Sequence, residues 1–455
     1  MTGFLFKINI EKVQGKYIMD IKIYPGTLKG EIQAPPSKSM AHRALICAAL
    51  SDGTSHIKGI SGSKDMEATM GCMQALGTVM HRIEGENGID DVVSIGIPMV
   101  RGAACSGCAG CGSGGCGSSS GAPAEAPVPV LDCIESGSTL RFVLPIAAAL
   151  GTECQFTGRG KLPERPMTPL ADEMKKHGIE FSPEGRDSLP FTIKGQLTSG
   201  VYEIPGNISS QYISGLIFAL PMLVGDSEIR VIGDLESASY IDLTLQMVRD
   251  FGVEIEKTEW GFKIPGGQKY KGGEIEVEGD YSNAAFWMVA DAIGSVLQLS
   301  GLREDSAQGD RKAADILAGR RINYTDIDCR DIPDIVPILS VAAAQAPQTT
   351  RFYDAGRLRI KESDRLSAMV DCLTRLGAKV EEKEDELIVH PSVLKGGCEV
   401  DGYNDHRIVM SMAIAGLICE EPIIIRGAEA VTKSYPNFFE EYRRLGGRAD
   451  VITDR

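Results

Sequence analysis

The chain has 455 residues, 43% of them hydrophobic, and a formal net charge of −15 at pH 7. That length exceeds what a single core fills, so two domains are expected, and the hydrophobic share is ample to pack both. The acidity excludes a general nucleic-acid or anionic-membrane surface, although it leaves room for a local basic pocket.

At the N-terminus, "MTGFLFKINIEKVQGKYIMD" interrupts its apolar stretch with Lys7 and Glu11, so no signal-peptide core is expected. No later run is long enough to cross a bilayer, and the plain reading is a cytoplasmic, soluble protein with its thiols reduced. From there a unit recurs: strand-like segments, then a small polar cluster opening a strongly apolar helix. The openings are "SKSMAHRALICAAL", "ESGSTLRFVLPIAAAL", "ISSQYISGLIFALPML", "YSNAAFWMVADAI", "DIPDIVPILSVAAA" and "YNDHRIVMSMAIAGL". Each places Ser, Asn or Asp ahead of Ala, Leu, Ile and Met at helical spacing, as N-caps require. Short β-rich runs such as "EIRVIGDL" and "AKVEEKEDELIVH" lie between them, so the fold class is α/β with helices inside.

Between the first two openings stands "GAACSGCAGCGSGGCGSSSGAPAEAP", which carries Cys105, Cys108, Cys111 and Cys116. Thiolates two residues apart suit a zinc or iron–sulfur ligand set. No His or acid lies among them, however, and a Gly/Ser chain leaves the entropy of ordering such a site uncompensated. A flexible insertion over about 102–127, with no metal, is therefore expected. The other eight cysteines, Cys47, Cys72, Cys133, Cys154, Cys329, Cys372, Cys398 and Cys419, sit singly among apolar neighbours and read as buried, inert thiols.

Cations stand where helix physics disfavours them. Lys38, Arg43, Arg141 and Arg407 fall near the helix starts, beside unpaired N–H groups and the positive end of the dipole. That arrangement is stable when anions bind, so the openings read as anion sites. Two loops add to the set, "GRGKLPERPM" with Arg165 and "GRLRIKESDRL" with Arg357, Lys361 and Arg365; in each an acid neighbours the guanidinium, as bidentate recognition of phosphate or carboxylate favours. Lys433 follows in "VTKSYP". Asp334, in "DIPD", reads either as a helix cap or as a base.

Taken in order, "PPSKSMAHRAL", "LDCIESGSTLRF", "LPERPM", "ISSQYISG", "SASYIDLTL", "VEGDYSNAAF", "DIPDIVP", "IKESDRL", "YNDHRIVM" and "TKSYP" resemble the enolpyruvyl transferases, in particular their 5-enolpyruvylshikimate-3-phosphate synthase branch. The resemblance covers the chain from about Tyr24 onward. It implies two similar domains, each of three small βαβαββ-type units, with helix N-termini facing an interdomain cleft. One domain would be 1–34 plus 280–455, and the other 35–279. It also implies transfer of the enolpyruvyl group of phosphoenolpyruvate to the 5-hydroxyl of shikimate 3-phosphate, in aromatic amino-acid biosynthesis, by a monomer with no cofactor.

By motif, the resemblance puts Lys38, Ser39, Arg43, Ser209, Ser210, Gln211, Ser237, Tyr240, Asp334 and Lys361 on shikimate 3-phosphate. Lys38, Gly137, Arg165, Gln211, Arg365, Arg407 and Lys433 would surround phosphoenolpyruvate, with Gly137 sparing the small substrate a side chain. The chemistry needs a base for the 5-hydroxyl and an acid for the methylene carbon; Asp334 is the expected base, and Glu362 the expected acid with Lys38 sharing the proton traffic. The chain departs from many relatives at Glu135, where they carry Asn, and at Arg357, where some use Asn. The sister activity on UDP-N-acetylglucosamine uses a Cys in a loop after the second helix opening, where this chain has "GRGKLPERPM" and no Cys; Cys116 precedes that helix.

Overall fold

The computed structural model describes residues 12–13, 16–17, 19–85, 89–97, 127–184 and 188–452. The Cys-rich run, with Cys105, Cys108, Cys111 and Cys116 and the insertion expected there, lies outside the described residues. Of the eight single cysteines, seven are buried free thiols and Cys398 is half-buried.

The described helices, in chain order, are α1 (Lys38–Leu50), α2 (Lys64–Ala75), α3 (Gly137–Ala149), α4 (Thr168–Lys176), α5 (Ser210–Ala219), α6 (Ala238–Asp250), α7 (Tyr281–Ala292), α8 (Lys312–Ile316), α9 (Val336–Ala344), α10 (Arg365–Arg375), α11 (His406–Ala415) and α12 (Phe438–Arg444). The odd-numbered ones are the six apolar openings. They are buried almost all round, and every residue of α9 is buried. The even-numbered ones bury a stripe: α6 buries Ile241, Leu243, Thr244, Met247 and Val248, while Lys257 reaches Asp242 on its exposed side.

Five of the buried helices start on a side-chain cap: Ser37 accepts from the Met40 N–H, Ser136 from Thr139, Ser209 from Gln211, Asp280 from Asn283, and Asp405 from Arg407. Each such cap contributes about 1 kcal/mol. Helix α9 is the exception. Its N-cap is Ile335, with no side-chain bond, so Asp334 is not the cap that its position allowed.

Five four-stranded sheets repeat one strand order, a parallel pair followed by two antiparallel strands, and in four of them one of the buried helices α3, α5, α9 or α11 links the parallel pair. In one, Val130–Asp132 lies parallel to Cys154–Thr157, which pairs antiparallel with Phe191–Gly195, flanked by Ile179–Ser182. This is the βαβαββ unit. The unit around α7 is the reduced one: it keeps the parallel pair Lys29–Gln33 with Val296–Ser300. The segment from Leu302 to Ile322 is polar and lacks the apolar alternation that a strand pair needs.

Two hydrophobic cores result. One runs from Met40 to Val277, and the other joins Ile21–Ile32 to Ala285–Ala449. The chain crosses between them twice, where Pro36 bridges Gly279 and the Ser37 N–H donates to the Glu278 carbonyl at 2.8 Å. Within the first core α3 and α5 pack closely at Gly215, where a Cβ would stand 2.2 Å from the Arg141 carbonyl oxygen. That contact sets the depth at which the two helices deliver their N-termini to the cleft.

Candidate active site

A cavity opens between the two cores where α1, α3 and α5 begin. Lys38 and Ser39 line it from α1, Gly137 and Ser138 from α3, and Ser209, Ser210 and Gln211 from α5; Ser237 and Tyr240 join from α6, and Asp334, Arg357, Lys361 and Glu362 from the second core. Six of the lining side chains are cations, Lys38, Arg43, Arg141, Arg165, Arg357 and Lys361, against the carboxylates of Asp65, Asp334 and Glu362. His42 adds no charge, because burial and then Lys38 hold its imidazole well below the usual range. Three helix N-termini and an excess of cations share one space, so the cavity is built for polyanions.

The Arg141 and Arg165 guanidiniums sit side by side over Gly137. An added Cβ would lie 2.5 Å from Arg165 Nη1 and 2.7 Å from Arg141 Nη1. The glycine therefore makes room for two arginines, a different reason from the substrate clearance expected of it. Arg141 donates to Gln211 Oε1 at 2.9 Å and to the Pro166 carbonyl at 3.1 Å, and Gln211 Nε2 donates to Ser138 Oγ at 2.8 Å. Burial, then the neighbouring Arg165, lowers Arg141 to about 10. Arg165 has a 9% exposed side chain and, among the described residues, a buried Nε without a partner and a single long ion pair, 3.9 Å to Glu362. Its acid comes from the other core, not from the neighbouring Glu164 of the sequence motif.

Arg43 is buried, and burial lowers it to about 10. Its Nε donates to Thr244 Oγ1 at 2.8 Å, and its two Nη atoms to the Ser39 and Tyr240 carbonyls at 2.6 and 2.7 Å, which ties α1 to α6. Lys38 Nζ donates to Asp65 at 3.0 Å, and its backbone N–H to Asp280 at 2.9 Å.

Asp334 gathers cations: Arg365 Nη1 at 2.9 Å, Arg407 Nη2 at 3.2 Å and Lys361 Nζ at 3.6 Å. Burial pushes its carboxyl up, but Arg407, Lys361 and Arg365 together hold it well below the usual range. Glu362 behaves alike, with burial opposed and outweighed by Arg365, 2.6 Å away, and by Arg165. Lys361 is lowered to about 8 by burial, although Asp334 opposes the change.

Three residues expected around phosphoenolpyruvate do not line the cavity. Arg365 lies behind it at 1% exposure, held by Asp405, Glu362 and Asp334. Arg407 is bound to Asp334 and to the Ser282 carbonyl, and Lys433 Nζ donates to Glu135 and to the Asn404 carbonyl, both at 2.6 Å. Sequence reasoning assigned no site role to His42, Asp65, Ser138, Phe142 or Tyr212, which the cavity brings in. Arg141 carried a signal, its cation at a helix start, and so did Arg357, its departure from relatives.

A sequence pattern described as EPSP synthase (3-phosphoshikimate 1-carboxyvinyltransferase) matches residues 23–98 and 115–442. The chain belongs to the EPSP synthase family. Curated relatives called 3-phosphoshikimate 1-carboxyvinyltransferase include those of Clostridioides difficile (strain 630), 42% identical over 94% of this chain and 98% of the relative, and Clostridium beijerinckii, 43% identical over 95% and 98%. Among solved structures, EPSP synthase from Acinetobacter baumannii superposes with a TM-score of 0.75 at 26% identity, covering 96% of this chain and all of the other. The enolpyruvyl transferase NikO from Streptomyces tendae shares the fold, with a TM-score of 0.71 at 14% identity over 96% of this chain and 99% of the other. The family match skips 99–114, which hold Cys105, Cys108 and Cys111.

Both departures from the EPSP synthase pattern face across the cleft. Arg357 Nη1 donates to Ser237 Oγ at 2.8 Å and its Nε lies 3.5 Å from Glu236. Glu135 Oε2 accepts from Lys433 and, at 2.8 Å, from Asn404 Nδ2. Among the described residues, no group of three His, Cys, Asp or Glu side chains is placed to hold a metal ion, and no helix is long and apolar enough to cross a membrane.

Proposed function

We propose that the protein transfers the enolpyruvyl group of phosphoenolpyruvate to the 5-hydroxyl of shikimate 3-phosphate and releases phosphate. The observation that carries this is the Arg141–Arg165 pair over Gly137 at the head of α3, a buried like-charge contact that an anionic ligand relieves. Shikimate 3-phosphate is placed against Ser39, Arg43, Ser209, Ser210, Ser237, Tyr240 and Lys361, and phosphoenolpyruvate against Lys38, Arg165 and Gln211. Arg365, Arg407 and Lys433 reach the second substrate when it competes with their present carboxylate partners.

Asp334, ionised, takes the 5-hydroxyl proton, and the alkoxide adds to C2 of the enol while a proton reaches its methylene carbon. Glu362 supplies that proton with Lys38 as partner. Bound anions neutralise Arg165 and Arg365, which removes the field that now keeps Glu362 ionised. Glu362, a carboxylate again after that donation, takes a proton back from the new methyl group as the C–O bond to phosphate breaks and phosphate leaves. The two cores, 1–34 plus 280–455 and 35–279, move as domains about the crossings at 34–37 and 278–280, and closure brings Arg357, Glu362 and Lys433 to the first core. The active unit is a monomer in the cytoplasm with no cofactor. Phosphate release measured with both substrates, and with each alone, tests the reading. Release only with both supports it, and its absence with both refutes it.

A further inference from the structure

We propose that Asp310, reached through the Tyr240 hydroxyl, receives the proton that Asp334 takes from the substrate hydroxyl. The inference rests on the reading of Asp334 as the base. Three cations bind Asp334, so as a carboxylate it has little affinity for a proton and is a poor place to leave one. Asp310 lies next to it in different surroundings. It is 2% exposed, Ser282 Oγ donates to its Oδ2, and its Oδ1 is buried without a partner.

Tyr240 Oη lies 3.4 Å from Asp310 Oδ2 and 3.4 Å from Asp334 Oδ2. A phenol has one proton to give and a lone pair to accept with. It satisfies two carboxyl groups together when one of them is protonated, in the order carboxyl O–H to phenol O–H to carboxylate. The trio thus holds one mobile proton in either of two places, with the phenol neutral in both.

The groups facing Asp310 set the direction. They are Asp334, Asp280, Tyr240 and Arg407; burial and then Asp334 push Asp310 up to about 7, and Arg407 opposes this only in part. In the step, the substrate O–H bond breaks and its proton joins Asp334. The Asp334 proton then passes to the Tyr240 oxygen as the phenolic proton passes to Asp310. Asp334 ends ionised and Asp310 neutral, while the alkoxide keeps its electron pair for the bond to C2. The departing phosphate, which needs one proton, takes it back by the reverse path. Asp310 does not touch substrate; it is a positioning residue that acts through Tyr240.

The test is the pH profile of the single-turnover rate at saturating substrates. In the wild type the rate is expected to fall as pH drops through about 7, since a protonated Asp310 accepts nothing. Asp310→Asn should slow the step roughly 10- to 100-fold and remove that limb, with Asp310→Glu recovering part of the rate. Tyr240→Phe should do the same as Asp310→Asn, and the double variant should be no slower than the slower single. Ser282→Ala, which removes a donor to the carboxylate and leaves Asp310 in place, should move the limb up by about one pH unit. A wild-type rate that is flat from pH 5.5 to 8, an unmoved limb in Ser282→Ala, or additive losses in the double variant would overturn the inference. Absence of any turnover in the wild type would refute the reading of the reaction instead.

Discussion

Replacing Gly137 by Ala puts one methyl group where the structure holds two guanidiniums. The new Cβ would lie 2.5 Å from Arg165 Nη1, 2.7 Å from Arg165 Cζ and 2.7 Å from Arg141 Nη1, so both groups must retreat by about 1 Å to reach ordinary contact. Arg165, whose sole ion pair among the described residues is the long one to Glu362, moves most easily. Arg141 is pinned by Gln211 and Pro166. A displaced guanidinium loses one charge-assisted hydrogen bond to its anion, about 1.5–3 kcal/mol, or roughly 10- to 150-fold in affinity. The fold gains slightly, because Ala is the better helix former by up to about 1 kcal/mol and Gly137 opens α3. Steady-state phosphate release should therefore give a KM for phosphoenolpyruvate raised at least tenfold, a KM for shikimate 3-phosphate within about threefold, and an unchanged or higher Tm. Equal increases in both KM values, or a KM for phosphoenolpyruvate within threefold of the wild type, would refute the argument.

Arg165→Ala removes a cavity cation held by its protein partner only at 3.9 Å, so it should weaken phosphoenolpyruvate by about 2–5 kcal/mol and shikimate 3-phosphate far less; calorimetric titration of each ligand checks this, and equal losses would contradict it. Asp334→Asn should lower turnover by about two to four orders of magnitude with the circular-dichroism spectrum unchanged, and near-normal turnover would remove Asp334 from the reaction. Lys361 carries its charge below about pH 8 and loses it above, so kcat/KM for shikimate 3-phosphate should decline through pH 8 to 9, whereas a flat profile to 9.5 would show that its charge is not used. Glu135 competes with phosphoenolpyruvate as an anion for Lys433, so Glu135→Gln should lower that KM by roughly 3- to 10-fold, and an increase would mean that the cross-cleft pair serves closure instead.

How far a residue's role was legible depended on how local its physics is. The six buried helices were readable because apolar spacing and caps act within a few residues, and the structure bears out all six, with Ser37, Ser136, Ser209, Asp280 and Asp405 capping as their types dictate. The cations at the helix starts were readable for the same reason: the dipole that makes Lys38 or Arg407 costly without an anion belongs to their own helix.

Tertiary structure alone decided the rest, because it concerns groups brought together from distant segments. Asp334 stands one residue before Ile335 in a motif where its carboxylate could have capped α9, and only the approach of Arg365, Arg407 and Lys361 turns it into the cleft. Arg165 takes its acid from Glu362 in the other core rather than from Glu164 beside it, and Lys433 is neutralised by Glu135 from the far end of the chain. Asp310 carried no sequence signal at all. Its carboxyl is raised by burial and by a second acid 24 positions along the chain, effects of shared low-dielectric space that no local pattern encodes.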